Sequence, residues 1–154
     1  MGTRSRIGVM HGDKVKSIYC HWDGYLGFNG EILQEHYDSA KANQLVALGD
    51  MSSLQADIGE KHAFSKHDVP NIEVRVHNDN WCTFYGRDRG EKGVEFKVAQ
   101  TFDEFLEQCD NCGAEYYYIM RDGVWYCGDM YESGPLSKKL TALTEALAAE
   151  TVDQ

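Results

Sequence analysis

The most constraining stretch is Glu115 to Met130, EYYYIMRDGVWYCGDM, in which two runs rich in aromatic and β-branched residues flank Asp122-Gly123. Asp-Gly accepts the positive φ values of a two-residue type I′ turn, so the stretch predicts a β-hairpin. Alternation places Tyr116, Tyr118 and Met120 on one face and Tyr117, Ile119 and Arg121 on the other. Both faces then carry large apolar surface, the pattern of a central strand pair covered from both sides. Such a hairpin needs a sheet and helices around it.

The rest of the chain supplies them. Arg4–Met10 and Lys14–Trp22 predict a first hairpin turning through His11-Gly12-Asp13, with Ile7, Val9, Ile18, Cys20 and Trp22 toward the core. Asp23 to Gly30 reads as a loop carrying aromatics. Glu31–Tyr37 and Ser39–Leu48 have helical spacing, with Asp38-Ser39 as a cap and Gly49 as the terminator. Between Asp50 and Asn80 no period is sustained, and a helical turn at Met51–Leu54 and a strand at Ile72–Val76 are the expectations. Long irregular stretches are often functional loops. Trp81–Tyr85 and Val94–Ala99 read as paired strands joined by the loop Gly86–Gly93. Thr101 with Glu104 forms a capping box for a helix to about Gln108. Gly134-Pro135 opens a last helix with the stripe Leu136, Leu140, Leu143 and Leu147. The expected architecture is one α+β domain over residues 1–149, an antiparallel sheet built from hairpins with several helices packed on it, and a frayed tail at 150–154.

A chain of 154 residues with 42% hydrophobic content is long enough for one real core. Its net charge of -10 argues against general binding to nucleic acid or to an anionic membrane surface. No apolar run reaches the length of a membrane span, and Met1 to Gly12 lacks a signal-peptide core, so the default compartment is the cytosol. Five cysteines, at 20, 82, 109, 112 and 127, make a poor disulfide framework. Cys109 and Cys112 have the spacing of half a zinc site, which only folding could complete, with Cys127, Cys82, His62 or His67. Neither a cofactor nor a complete metal set is implied.

Nucleotide-loop, serine-hydrolase-elbow and HExxH patterns are absent. Cys20-His21 with Asp23 contains the residue types of a nucleophilic set. Adjacent residues on one strand point to opposite faces, however, which separates the thiol from the imidazole. The other constellation is charge against background. From Glu31 to Glu60 there are six acids and one lysine, yet GTRSR and GRDRG hold four of the six arginines. Arginine in glycine-bearing segments suits bidentate recognition of phosphate or carboxylate. Arg4, Arg6, Arg87 and Arg89 are therefore the candidate anion contacts, with Trp22 and Tyr25 as stacking or wall residues for a small nucleotide-like anion. An alternative surface uses Asp103, Glu104, Glu107 and Asp110, with more from Glu31, Glu35 and Asp38, to bind a basic host protein. Aromatic strands also offer an edge for a homo-oligomer.

The opening Met1-Gly2-Thr3-Arg4-Ser5, the stretch Tyr19-Cys20-His21-Trp22-Asp23-Gly24-Tyr25, and the later Tyr85-Gly86-Arg87-Asp88-Arg89-Gly90 and Tyr116–Tyr126 together resemble a group of small proteins encoded by tailed bacteriophages. The resemblance covers most of the chain and carries no catalytic residue. It implies expression in the cytoplasm of an infected bacterium and an accessory role, interfering with host physiology or defence. On this reading the protein is non-enzymatic and sequesters a small nucleotide-like anion or inhibits a host protein. The alternative is a small, hydrolase-like enzyme acting on a nucleotide or protein through His21 and Asp23 or the CxxC region.

Overall fold

The computed structural model describes residues 3–61, 80–130 and 141–152. The strand expected at Ile72–Val76, His62 and His67, and the Gly134-Pro135 start with Leu136 and Leu140 lie outside the described residues. What is described is a single α+β domain, with one mixed sheet and helices on both of its faces.

Two hairpins make the centre. β1 (Ser5–His11) and β2 (Lys14–Cys20) pair antiparallel across Gly12-Asp13. The strands at Tyr116–Arg121 and Val124–Asp129 pair antiparallel across Asp122 (φ 52°) and Gly123 (φ 80°), the positive pair that a type I′ turn demands. The hairpins meet through β1 and Tyr116–Arg121, which run parallel, with Arg6 beside Tyr117 and Ile7 beside Tyr118. The sheet is therefore mixed where hairpin signals alone give an antiparallel one. Turn residues set direction within a hairpin and say nothing of how two hairpins dock more than a hundred residues apart.

The outer edge of β2 is shared between two short strands. β3 (Met51–Ser53) continues from its C-terminal end in parallel, where a helical turn was expected, and pairs in turn with β4 (Thr83–Phe84). β5 (Lys97–Ala99) pairs antiparallel with Val15–Ser17 of β2 and not with Thr83–Phe84, so the expected pairing of Trp81–Tyr85 with Val94–Ala99 does not form. In sequence order Tyr116–Arg121 is β6, Val124–Asp129 is β7, and β8 (Thr141–Ala142) pairs with β7.

Beneath one face, Ile7, Val9, Ile18, Cys20, Tyr118 and Met120 pack on α1 (Glu31–His36) and α2 (Ser39–Ala47) through Leu33, Leu45 and Val46. The Asp38 carboxylate accepts from the Lys41 N–H, as an N-cap should, and Gly49 ends the run at φ 88°. Leu26–Gly30 is a π-helical turn leading straight into α1, so the irregular loop there is shorter than expected. Trp22 was expected in this core but is 43% exposed, because the strand stops at Cys20 and Asp23 turns the chain at φ 56°.

Tyr85–Arg89 forms a short helix, α3, where a loop was expected. The Asp88 carboxylate reaches back to the Phe84 N–H at 2.8 Å, and Gly90 closes it at φ 73°. On the opposite face, α4 (Phe102–Asn111) sets Phe105 and Cys109 against Tyr117 and Ile119. The Thr101 hydroxyl accepts from the Glu104 N–H at 3.1 Å, and the Glu104 carboxylate accepts from Gln100 N, a close relative of the expected box. Burying a side chain such as Phe105 contributes about 1.5–3 kcal/mol. The last described helix, α5 (Leu143–Val152), begins after β8, so residues 141–142 interrupt the helix expected through them.

Candidate functional site

Between the segments of β2 that pair with β5 and β3, the Tyr19 N–H meets no strand. The Asp50 carboxylate accepts it at 2.9 Å. Asp50 follows Gly49, and its own N–H donates to Val94 O at 2.7 Å, so both neighbouring segments fix its position. Over this gap, between the sheet and the C-terminal half of α4, lies a cavity of about 220 Å³. Arg6 and Tyr19 come from the sheet, Asp50 and Lys97 from its edge, and Gln108 and Cys112 from α4 and its end.

Arg6 is the centre of the arrangement. Its residue is only 1% exposed. Nε donates to Ser17 Oγ at 3.0 Å and Nη2 to Ser17 O at 3.0 Å, while Nη1 has a single, soft neighbour, Cys112 Sγ at 3.8 Å. Among the described residues no carboxylate forms an ion pair with Arg6 or Lys97. A guanidinium carries five N–H donors, and this one is buried with donors still to be satisfied. Asp50 lines the same space without closing on it. Burial raises the Asp50 carboxyl above its ordinary value, although the Tyr19 N–H and the charges of Arg6 and Lys97 act to lower it. Gln108 Nε2 donates to Val98 O at 3.3 Å, and its Oε1 is buried without a partner among the described residues.

An aromatic run leads away from the cavity. Tyr19 Oη lies 2.6 Å from His21 Nδ1, and the His21 ring meets Trp22 edge-on at 4.7 Å between centroids. Burial pushes the Tyr19 phenol up to about 12, so it is a neutral hydroxyl. Burial and then the positive charge of Arg4 lower His21.

The six sequence candidates separate into different environments. Arg6 is in the cavity. Arg4 is exposed beside it near Gly113, and its backbone carbonyl accepts from the Glu115 N–H. Arg87 does not reach the cavity: it donates to Ile58 O, Gly59 O and Cys82 O and pairs with the buried Asp88 at 3.0 Å. Arg89 pairs with Glu91 at 2.5 Å and lies over the Tyr85 ring. Trp22 and Tyr25, at 43% and 42% exposure, do not line the cavity, and Tyr25 leans on Phe28 instead. Sequence reading missed Tyr19, Asp50, Lys97 and Gln108 and singled out Cys112 only as half of a zinc-like pair; four segments bring these residues together, and no local spacing announces the grouping.

The other candidate chemistries come apart. Cys20 is fully buried, held by Asn29 Nδ2 at 3.5 Å and Trp22 O, and burial raises its thiol to about 12. His21 turns to the opposite face, as alternation requires. Cys109 is buried against Phe105, whereas Cys112 Sγ lies against the Cys109 carbonyl and Arg6. All five cysteines are free, and among the described residues no cluster of His, Cys, Asp and Glu could hold a metal ion. The acids of α4 and those of α1 with Asp38 cover opposite faces of the sheet, so they do not form one surface. Among the described residues no helix is long and apolar enough to cross a membrane. No family model, curated protein or solved structure matches this chain.

Proposed function

We propose that the protein is a non-enzymatic binder of a small anion, whose carboxylate or phosphate group sits against Arg6 with Lys97 at the rim. The observation carrying this reading is the buried Arg6 guanidinium, lining a cavity without an ion-pair partner among the described residues. An ion held out of water without a direct ion-pair partner costs up to several kcal/mol. An anionic ligand offsets that cost and takes the donors that Ser17 and Cys112 leave open. Arginine rather than lysine suits this role, since its fork grips two oxygens at once.

The cavity, at about 220 Å³, is smaller than the roughly 300–1,000 Å³ typical of drug-sized ligands. It accommodates the anionic group of a nucleotide-like molecule, or a small anion whole, and a base would extend toward Tyr19 and His21. Joined to the phage resemblance, the proposed role is that of an accessory protein that sequesters such an anion in the host cytoplasm. The spread of the acids over both sheet faces favours this over docking of a basic host protein.

Titration calorimetry with inorganic phosphate and with acetate tests the reading. Saturable binding is expected for at least one of them. Arg6→Met weakens it tenfold or more, about 1.4 kcal/mol, while Arg89→Ala leaves it unchanged. Binding that Arg6→Met leaves intact would overturn the assignment.

A further inference from the structure

The cavity presents both signs of charge, and that narrows what it takes. Arg6 and Lys97 offer cationic donors, while Asp50 and Gln108 Oε1 offer acceptors in the same space. One Asp50 oxygen takes the Tyr19 N–H at 2.9 Å, and neither cation closes on the carboxylate as an ion pair. Resting on the anion-binding reading above, we infer that the ligand is a small zwitterion, a free α-amino acid, with its carboxylate on Arg6 and its ammonium between Asp50 and Gln108 Oε1.

Three observations favour a zwitterion over a simple anion. A bare phosphate or carboxylate in this space faces the Asp50 carboxylate, a like charge, and leaves Gln108 Oε1 without a donor, which a buried acceptor rarely tolerates. An ammonium group supplies three N–H donors and the opposite charge in one step. Size agrees: at roughly 30 Å³ for each water-sized group, a cavity of about 220 Å³ has room for about seven non-hydrogen atoms, the scale of glycine, alanine or serine. Asp50 itself points the same way. Arg6 and Lys97 act on its carboxylate through their charge, yet neither closes on it as an ion pair. Larger side chains leave through the open side past Lys97, which is exposed.

Calorimetry or saturation-transfer NMR on the full chain decides between the classes. The probes are glycine, alanine and serine, with propionate as the acid lacking the amine, alanine methyl ester as the amine lacking the acid, and inorganic phosphate. Alanine is expected to bind at least tenfold tighter than propionate or its own methyl ester, and Asp50→Asn brings the alanine-to-propionate ratio close to one. Because that ratio is first read in the unaltered protein, a poorly folded variant does not blur it. Propionate or phosphate binding as tightly as the amino acids overturns the zwitterion assignment while the anion reading stands. If no probe binds saturably, or if Arg6→Met leaves binding of all of them unchanged, both are overturned.

Discussion

Arg6 and Arg87 are both drawn toward the interior, and their surroundings assign them different work. Arg87 donates to three backbone carbonyls and pairs with Asp88, which is 7% exposed, so its hydrogen bonds are made within the fold. Arg87→Ala leaves Asp88 as a buried charge without that partner and is expected to cost about 3–5 kcal/mol in urea denaturation. Arg89, half-exposed beside Glu91, is expected to change stability by less than about 0.5 kcal/mol when replaced by Ala. A large loss at Arg89 or none at Arg87 would contradict these roles. In the sequence the two stand in one motif, Arg87-Asp88-Arg89, and nothing local separates them. The acceptors that do so, at Ile58, Gly59 and Cys82, come from distant segments. Arg6 was a candidate anion contact by its type alone, whereas its burial was implicit only in the two-sided apolar pattern of Tyr116 to Met120, which requires the neighbouring strand to be covered on both faces too.

Most elements closed by local chemistry were readable in advance, the short helix α3 with its Asp88 contact to Phe84 being the exception. Asp122-Gly123 fixed one hairpin, Asp38 and Thr101 capped their helices, and Gly49 ended α2, each through atoms a few residues apart. The parallel contact of β1 with β6 and the division of the β2 edge between β3 and β5 depend on distant partners, and they create the gap that Asp50 fills. One cross-strand contact tests the centre of the sheet. Gly128 lies opposite Tyr117, and a Cβ there would meet Tyr117 Oη at 2.3 Å. Gly128→Ala is expected to cost about 1–3 kcal/mol by overpacking. Tyr117→Phe, which removes a buried hydroxyl without a partner among the described residues, is expected to be neutral or stabilising. Chemical denaturation of the two variants reads both signs, and a stabilising Gly128→Ala would contradict the packing of β6 on β7.

At the scale of the whole molecule, the site is linked to stability through pH. Because Asp50 binds its proton more tightly folded than unfolded, its contribution to stability falls as pH rises from its ordinary value of 3.8 through the raised folded value. Asp50→Asn removes that loss. The ligand-free variant is therefore expected to gain on the unaltered protein as pH rises from acid to neutral, and to level off once Asp50 is ionised in the fold. Urea melts across that range would contradict the assignment if the gain shrank with rising pH. A net charge of -10 makes the concentration of cationic donors around one cavity a local feature against the global field.

The measurement that bears most directly on the site is ¹⁵N-edited NMR of the arginine Nε–H groups during titration with alanine and with inorganic phosphate. Ligand binding at the cavity shifts the Arg6 Nε–H and the Tyr19 amide together and to saturation, with Arg87 unmoved. Shifts confined to exposed arginines such as Arg89, or an Arg6 signal indifferent to every anion, would contradict a binding site built on Arg6.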